Sequence, residues 1–372
     1  MKNPSLACMR AGGFTLVEVL VATAIIGLLL LILTSITEVT RKTWLNSTAK
    51  AEEFRGARTG FEAITRRLSQ ATLNTYWDYF DASGVARTPQ NAANFVPSRY
   101  GRQSDLRFIS GPSSVLGLPS STCPTHAVFF QAPLGYVADR SNYARMENLL
   151  NTWGFFIQFG DDSLLRPAFV TKALAPYRYR FRLMELMEAS ELFSVYQNAI
   201  DAGGNADYVG REWFSKPFNQ NPRPTRVLAE NVVALVLLPK LTPYDQAAGK
   251  YPDGAIAPSY LYDSTGSNMA TLADKNLNPR HQLPPVIQVT MIAVDEASFS
   301  RLQKANVSMP ALGLSTLFTS VGDTTDPSKS GYAKDLQTIQ TTMQATKPAL
   351  TYRVFSTNVS IKGAKWSREQ SN

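Results

Sequence analysis

The feature that most constrains this chain is an apolar run near its N-terminus, FTLVEVLVATAIIGLLLLIL at residues 14–33. As a helix that rises ~1.5 Å per residue, a run of this length spans the ~30 Å hydrocarbon core of a bilayer. The polar leader before it contains Lys2 and Arg10 and no acidic residue, and positive charge keeps that side of a membrane span in the cytoplasm. The pattern therefore predicts one membrane span, with the rest of the chain on the far side of the membrane.

Two simpler interpretations of this run leave something unexplained. A cleaved secretory signal has an apolar core of about 7–15 residues and then a small-x-small cleavage site, whereas this run is longer and is followed by TSI at residues 34–36. A plain anchor fits the length but does not explain Glu18, because an ionised carboxylate in lipid costs about 2.5–3.5 kcal/mol on insertion scales and normally has a partner. A further interpretation of Glu18 alone is a favourable interaction with the positive end of the helix dipole.

The six residues GFTLVE at 13–18 resemble the cleavage and methylation signature of type IV pilins and type II secretion pseudopilins, a glycine followed by FTLxE. The resemblance implies that a prepilin peptidase cuts between Gly13 and Phe14 and that the new amino group of Phe14 is N-methylated. It also implies that Glu18 faces the Phe14 amine of a neighbouring subunit in a filament. Electrostatics supports this pairing, because after the cut a cation and a carboxylate would lie in an apolar bundle, where an unpaired charge is expensive.

Helical periodicity continues well beyond the membrane run, and residues 5–88 contain no proline. Apolar residues recur at intervals of three and four, the narrow stripe of a helix that packs on one face. The stripe consists of Phe54, Ala57, Phe61, Ile64, Leu68 and Ala71. A helix over residues 14–73 would be roughly 90 Å long, and its second half is expected to pack on a following domain, because propensity alone does not stabilise it. Gly56 and Gly60 are expected to be weak points where the helix can bend.

These patterns divide the chain into four parts. Residues 1–13 are a leader peptide, residues 14–34 a membrane helix, residues 35–73 its amphipathic continuation, and residues 74–372 a large extracytoplasmic headpiece. The headpiece is long enough to bury a substantial core.

Seven segments of the headpiece have the composition and spacing of β-strands. They are Leu106–Ser110, Ala127–Gln131, Gly154–Phe159, Tyr177–Leu183, Asn231–Leu238, Val286–Val294 and Thr351–Ile361. Helical patterns cover Met184–Ile200, Glu296–Lys304 and Tyr332–Thr346. Loops rich in Pro, Gly, Asn and Asp cover residues 81–104, 111–125, 201–226, 240–284 and 308–331. Strands and helices do not alternate regularly, so we predict an α+β fold in which the long N-terminal helix packs on an antiparallel sheet with large loop insertions.

The segment Tyr177–Leu183, YRYRFRL, alternates strictly between arginine and aromatic or apolar residues. Such alternation places the arginines on one face of a strand. One interpretation is a basic ladder for an anionic partner. The interpretation that we favour is a half-buried strand whose arginine face is solvated, because any strand with one wet face shows this pattern.

Two apolar strands extend the resemblance to pseudopilins. RVLAENVVALVL at residues 226–237 resembles the LxENV pattern of the minor pseudopilin J group, and LPPVIQVTMIAVD at residues 283–295 resembles that group's LPxx[VI]xV pattern. The whole chain is also similar to the Verru_Chthon cassette protein C family of prepilin-like proteins. The headpiece of this chain is larger than that of ordinary pseudopilins.

Few residues of this sequence are suited to enzymatic or metal chemistry. Two cysteines and two histidines exclude a disulfide scaffold and do not favour a multi-histidine metal site. No phosphate-binding loop, dinucleotide-binding glycine motif, HExxH or CxxC motif occurs. Cys123 and His126 suggest a Cys–His pair, but Pro124 separates them and no third group is evident, so we favour a structural role. Asp161 and Asp162 suggest calcium binding, although a turn between two strands is the simpler explanation.

The positive charge of the chain does not by itself indicate nucleic acid as a partner. Lys and Arg number 37 against 29 for Asp and Glu, which gives a formal net charge of +8. A nucleic-acid domain concentrates its basic residues together with aromatic ones, whereas here the excess is spread along the chain. We therefore expect no nucleic-acid partner.

Together these features predict a structural, prepilin-like subunit with no enzyme activity, cofactor or resident metal. The resemblance implies three partners: prepilin peptidase, other pilin-like subunits and the inner-membrane assembly platform. It implies a single-pass inner-membrane protein with a cytoplasmic N-terminus and a periplasmic headpiece, built as a minor component into a type II secretion or type IV pilus-like filament. Two alternatives stay open, a displayed binding or adhesion protein and a membrane-tethered extracytoplasmic enzyme.

Overall fold

Helix α1 (Leu16–Leu68) forms the N-terminal part of the described chain and supplies residues to two structural units. The first unit ends at Glu52, and the second begins at Glu53. The computed structural model describes residues 15–143, 149–163, 165–167, 169–170, 176–195, 211–243, 254–265, 279–303 and 309–366.

The first unit is the apolar part of α1. Its stretch Leu16–Trp44 is long and apolar enough to cross a membrane. Four hydroxyl side chains in this stretch donate hydrogen bonds of 2.7–3.0 Å to carbonyl oxygens of the preceding turn, so they need no water. They belong to Thr23, Thr34, Ser35 and Thr37. The apolar N-terminal helix predicted from the sequence is confirmed.

The second unit has the predicted α+β composition. Its strands are β1 (Tyr76–Phe80), β2 (Arg99–Gln103), β3 (Phe108–Pro112), β4 (His126–Ala132), β5 (Asn151–Gly160), β6 (Arg180–Glu188), β7 (Thr225–Glu230), β8 (Val232–Lys240), β9 (Tyr262–Asp263), β10 (Val286–Val294) and β11 (Tyr352–Ser360). The helices after α1 whose bounds lie within the described residues are α2 (Arg140–Tyr143), α3 (Glu212–Asn219), α4 (Glu296–Gln303) and α5 (Tyr332–Ala345). A short 3-10 helix covers Ser190–Leu192.

The strands form three antiparallel sheets. A six-stranded sheet has the order β7-β6-β5-β4-β3-β9, a three-stranded sheet has the order β11-β10-β8, and β1 pairs with β2. Strand β8 packs across β4, β5 and β6, and all of its residues are buried. The core of the second unit therefore lies between the two larger sheets.

The second half of α1 completes this core. Five stripe residues are buried with residues of β5, β6 and β8: Ala57, Phe61, Ile64, Leu68 and Ala71. The Phe61 ring lies 5.7 Å from the ring of Phe355 on β11. The prediction that this half of the helix packs on the following domain is confirmed, because spacings of three and four keep the apolar residues on the side that meets the sheets.

Helix α1 runs alongside β6 in the same direction. Three successive contacts show this. Gly60 lies against Leu183, and Arg67 forms an ion pair with Glu185. Further along, the Thr72 backbone N–H donates to the carbonyl of Gln131, which pairs with Thr152 of β5, and Thr152 in turn pairs with Glu188 of β6. The residue numbers increase along both elements. The N-terminal end of this helical half and the start of β6 therefore lie at the same end of the second unit.

Gly60 is a point of close approach between α1 and the sheet. A Cβ atom at Gly60 would lie 3.0 Å from Leu183 Cδ2 and 3.2 Å from Ala229 Cβ, whereas a Cβ at Gly56 would meet no heavy atom within 4 Å. We expect Gly60→Val to lower the free energy of unfolding by about 1–3 kcal/mol, because it overpacks a filled site. The same substitution at Gly56 should change it by less than about 0.5 kcal/mol. Chemical denaturation in detergent measures both, and equal effects would contradict the close approach.

All seven predicted strands correspond to observed strands. Strand β10 has the predicted ends, and the ends of the others differ by up to five residues, the largest difference being at the end of β6. The helices predicted to start at Glu296 and Tyr332 are α4 and α5. The sequence patterns therefore located most of the regular structure of the second unit.

The helix predicted over Met184–Ile200 is wrong over residues 184–193, whereas Ser194 and Val195 are helical. Residues Met184–Glu188 continue strand β6, and Ser190–Leu192 form the 3-10 helix. Strands β5 and β7 pair with β6 on its two sides, so sheet pairing outweighs the local helical pattern. Residues 196–200 lie outside the described residues.

Three stretches predicted as loops contain regular structure. Strand β2 lies within residues 81–104, α3 within 201–226, and β9 within 240–284. Strand β2 has no apolar run that would predict a strand. It is instead held to β1 by contacts between aromatic rings on its exposed face. The Tyr100 ring lies 5.2 Å from the ring of Trp77 and 5.2 Å from that of Tyr79. Cross-strand aromatic pairs of this kind stabilise strand pairing without a core beneath both faces.

The arginines of β6 do not form the solvated face that was predicted. Arg180 and Arg182 are only 3% and 4% exposed. Arg180 Nη2 donates to Glu296 Oε1 at 2.6 Å, and Arg182 Nη1 donates to two backbone carbonyl oxygens at the end of β5, at 2.8 and 2.9 Å. The strand also begins at Arg180 rather than Tyr177. Carboxylate and carbonyl partners replace water around these two groups, so they form no basic ladder for an anionic partner.

Candidate processing and assembly site

Helix α1 starts with a reciprocal pair of hydrogen bonds between Thr15 and Glu18. The backbone N–H and the hydroxyl of Thr15 each donate to Glu18 Oε2 at 2.9 Å. The backbone N–H of Glu18 donates to Thr15 Oγ1 at 3.3 Å. This is a capping box, in which the residue before the helix and the third helical residue satisfy each other's free N–H groups. Glu18 therefore has a structural role at the helix start through hydrogen bonds, beside the dipole interaction that the sequence analysis considered.

The same contacts leave the Glu18 carboxylate available for a further partner. Both hydrogen bonds that it accepts from the described residues go to Oε2, and the side chain is exposed. The next basic residue along the helix is Arg41, about 35 Å further on at 1.5 Å per residue. Glu18 thus has no basic residue of its own helix within reach, and a cation for it must come from the N-terminus or from another molecule.

Gly13 and Phe14, the predicted cleavage site, lie outside the described residues. Their roles stay predictions, as does the pairing of the Phe14 amine with Glu18. The structure places Thr15 and Glu18 and the helix that follows them.

His126 and Cys123 do not form a nucleophile–base pair. His126 is buried at the start of β4, where its Nε2 lies 2.8 Å from the carbonyl oxygen of Phe318 and its Nδ1 accepts from the backbone N–H of Leu237 at 3.0 Å. Both ring nitrogens are thus used by the backbone, which fixes the neutral form with the proton on Nε2. Cys123 is also buried, and burial raises the pKa of its thiol. These contacts support the structural role that we favoured.

The buried histidines predict a loss of stability in acid. Burial lowers the pKa of His126 to about 4 and the pKa of His281 to about 3, against about 6.5 in an unfolded chain. Between these values the unfolded state binds protons that the folded state does not. We therefore expect the free energy of unfolding to fall as the pH drops from about 6.5 to about 4, by an amount of order 3 kcal/mol for each histidine.

Glu188 acts in the opposite direction and supplies a control. Burial raises the pKa of Glu188 to about 7, so the folded state binds this proton first and gains stability as the pH falls from about 7 to about 4.5. Glu188→Gln removes that gain. Unfolding measured across this range should therefore show a steeper loss in Glu188→Gln than in the natural chain. A flat profile in the variant would contradict the burial of neutral histidines.

Asp161 and Asp162 form a turn after β5. Asp161 Oδ1 accepts from the backbone N–H of Ser163 at 3.1 Å, and Asp162 pairs with Arg166 at 2.8 Å. Asp162 also accepts from the backbone N–H of Arg178 at 2.9 Å. Among the residues that the structure describes, no group of three or more His, Cys, Asp or Glu is arranged to hold a metal ion. The contacts support the turn that we considered the simpler explanation.

A buried charged cluster that the sequence analysis missed attaches α1 to the sheet. Glu185 on β6 is completely buried and forms ion pairs with Arg67 of α1 and Arg226 of β7. Trp153 Nε1 donates to Glu185 Oε1 at 2.6 Å. The available signal was an acid inside an otherwise apolar strand, which requires buried partners. The incorrect helix over residues 184–200 hid that signal, because it placed Glu185 on a helix surface.

Comparison with known protein families identifies the N-terminal motif. Residues 8–34 match the family model described as the prokaryotic N-terminal methylation motif, and this range includes Glu18 and the whole apolar run at residues 14–33. The motif indicates a prepilin-like protein of the type IV pilin family. Neither the curated proteins nor the solved structures contain a significant match to the chain. The likeness to the minor pseudopilin J group and to the Verru_Chthon cassette protein C family stays a prediction.

Proposed function

We propose that this chain is a prepilin-like structural subunit that is cut between Gly13 and Phe14, methylated at Phe14, and assembled as a minor component of a type II secretion or type IV pilus-like filament. One observation carries the proposal. The methylation motif includes an apolar run at residues 14–33 whose only acid, Glu18, has no basic residue of its own helix within reach.

The chemistry of the helix start supports pairing between subunits. Cleavage after Gly13 would place a cationic amine on Phe14, four residues before Glu18. Removing charges from water is costly unless each finds an opposite charge. When apolar helices pack side by side with an axial offset, the amine of one subunit can neutralise the carboxylate of the next. The Thr15 hydrogen bonds to Oε2 hold the carboxylate in place for this contact.

The proposal assigns partners and a location. Prepilin peptidase would cut the leader, the inner-membrane assembly platform would extract the subunit, and other pilin-like subunits would pack against its apolar helix. Positive residues in the leader favour a cytoplasmic N-terminus, which puts the second unit in the periplasm. We expect no enzyme activity in this role.

The N-terminal chemistry provides the direct test. In cells that contain the peptidase, we expect intact mass and N-terminal sequencing to find a chain that begins at methylated Phe14. Gly13→Val should block the cut, because a Cβ hinders entry of the backbone into a tight protease site. A natural chain that keeps residues 1–13 in such cells would contradict the proposal and favour a simple membrane anchor.

A displayed binding role is a second candidate, and an exposed aromatic row favours it. Trp77, Tyr79 and Tyr100 are each about half exposed, at 50%, 51% and 56%. The Arg102 guanidinium lies 5.9 Å from the Trp77 ring centroid. Tryptophan, tyrosine and arginine dominate the binding energy of protein interfaces. If Trp77→Ala removed retention of a secreted protein or polymer while filament entry was unchanged, the binding role would gain support.

A further inference from the structure

Strand β11 is a long sheet edge that lacks the usual protection against pairing with another strand. It lies at one edge of the three-stranded sheet, and all nine of its residues pair with β10 in one uninterrupted register. It contains one basic residue, Arg353, and neither proline nor an acidic residue. Proteins normally protect an exposed edge with several charges, a proline, a bulge or a very short strand.

The other outer strands of the two larger sheets do not share this combination of length, regularity and exposure. All residues of β8 are buried, and β9 has two residues. Strand β7 has an irregular register with β6 and lies against Gly60 of α1. Of these four outer strands, β11 is therefore the one that offers a template for a further strand.

Two hydrogen bonds beyond the ends of β11 fix which of its backbone groups point away from β10. The Ile361 backbone N–H donates to the Pro285 carbonyl at 3.1 Å, and the Asp295 backbone N–H donates to the Thr351 carbonyl at 3.0 Å. Both pairs continue the β10–β11 register. Hydrogen-bonded positions alternate in an antiparallel pair, so the odd-numbered residues of β11 bond to β10. The even-numbered residues direct their N–H and C=O groups outward: Tyr352, Val354, Ser356, Asn358 and Ser360.

These outward backbone groups are unpaired. Within the part of the chain that the structure describes, none of them forms a hydrogen bond or a bridge to another segment. A backbone group that is buried without a partner is costly and rare, and Ser356, Asn358 and Ser360 are exposed. The outer edge of β11 therefore faces water, and the partner that fits it is another extended backbone.

The sequence of β11 fits a second copy of itself. When two copies pair antiparallel about a two-fold axis at Ser356, Val354 faces Asn358 of the second copy. Every outward-pointing residue then meets an outward-pointing residue, so hydrogen bonds can form along the full length of both edges. The two Arg353 residues would lie about 20 Å apart, because each is six residues from the position opposite the other. No like charges meet in this register.

We propose that β11 pairs with β11 of a second copy of this chain, antiparallel and centred on Ser356, so that two three-stranded sheets join into one sheet of six strands. Such a contact is isologous, with the same surface used by both copies. Antiparallel pairing reverses one copy relative to the other, so the contact differs from the side-by-side helix packing of the proposed function. It does not depend on cleavage after Gly13.

Disulfide formation by the full chain in detergent tests the register. Ser356→Cys, in a Cys8→Ser background, places the two thiols at the two-fold axis, where opposite Cα atoms lie about 5.5 Å apart, within disulfide range. The control Ser360→Cys is also at an exposed position, and its two copies would lie about 26 Å apart. Cys123 is 1% exposed and stays unlinked. We expect at least about fivefold more disulfide-linked dimer from Ser356→Cys.

A proline substitution tests the backbone contact itself. Ser356→Pro removes an outward N–H and no bond to β10, and proline is tolerated at such positions of an edge strand. Sedimentation of the full chain in density-matched detergent measures dimerisation. We expect Ser356→Pro to raise the dimer dissociation constant at least about tenfold, because both central hydrogen bonds are lost. Ser356→Ala keeps the N–H and should change that constant by less than about twofold.

Three outcomes would overturn the proposal: a natural chain that stays monomeric, equal cross-linking of the two cysteine variants, and a dimer that Ser356→Pro leaves intact. The last result would assign the dimer to another surface, such as the apolar stretch of α1. If Ser356→Pro lowers the unfolding midpoint, the cysteine comparison decides, because both cysteine variants keep every backbone group. Neither measurement depends on where the chain is cut in cells, so failure here and failure of the processing test are distinguishable.

Discussion

A chain with Glu18→Val is expected to be cleaved after Gly13 like the natural chain and yet to enter filaments at least about tenfold less. The Phe14 amine of a neighbouring subunit would then lie in an apolar bundle without a carboxylate. Removing one member of a buried ion pair costs about 3–5 kcal/mol, and about 1.4 kcal/mol corresponds to a factor of ten. The measurement is the amount of processed subunit in sheared filaments relative to membranes.

Two further variants separate charge pairing from other effects at this site. Glu38 is an acid on the same helix, in an exposed pair with Lys42 at 2.7 Å. Such a pair contributes about 0–1 kcal/mol, so Glu38→Val should enter filaments almost normally. Glu18→Gln retains an acceptor for the Thr15 hydrogen bonds but has no charge, and it should fail like Glu18→Val. Normal filament entry of cleaved Glu18→Val would refute the pairing.

Glu185→Ala is expected to lower the free energy of unfolding of the second unit by about 3–5 kcal/mol. Glu185 is fully buried between Arg67 and Arg226 and accepts a hydrogen bond from Trp153. Burial lowers the pKa of Arg67 to about 10, so Arg67 is still charged at neutral pH. Without the carboxylate, two cations would face each other at the contact between α1 and the sheet. Denaturation of the full chain in detergent measures the loss.

An exposed pair on the same helix is the matched control. Arg58 and Glu62 lie 3.0 Å apart with side chains 72% and 64% exposed, so Glu62→Ala should cost less than about 0.5 kcal/mol. Replacing both partners, as Arg67→Met with Glu185→Met, should recover much of the loss, because an apolar pair of similar volume leaves fewer buried charges unpaired. If Glu185→Ala unfolded at the natural midpoint, the ion pairs would contribute nothing to the attachment of α1.

Local patterns predicted the parts of the fold in which one face meets one partner. The stripe from Ala57 to Leu68 repeats at helical spacing and packs as predicted. Strand β10 was predicted to the residue because two prolines precede it and Asp295 follows it. Strand β6 was not, because both of its faces are buried along most of its length, so its sequence after Arg182 does not alternate, and without alternation periodicity does not distinguish a strand from a helix.

Long-range partners account for most of what the sequence analysis missed. Arg180 is buried because Glu296, 116 residues away, pairs with it, and Glu185 is tolerated because Arg67 reaches it from α1. No local pattern reveals either contact. The processing motif was readable because its residues are consecutive. Within that motif, the TxxE pattern at residues 15–18 also corresponds to a capping box. The sequence analysis did not predict this capping box, although Thr15 and Glu18 are hydrogen-bonded.

Burial of the second half of α1 has a practical consequence for preparing a soluble version of this protein. Starting the polypeptide at residue 74, where the headpiece was first expected to begin, would remove Phe61, Ile64 and Leu68 from the core that they help to fill. Losing even one such side chain lowers the free energy of unfolding by about 2–5 kcal/mol. Without this helical segment, the apolar strands that it covers would be exposed and prone to aggregation. A polypeptide that starts at residue 53 retains this helical segment and is the shorter species that should stay folded in water.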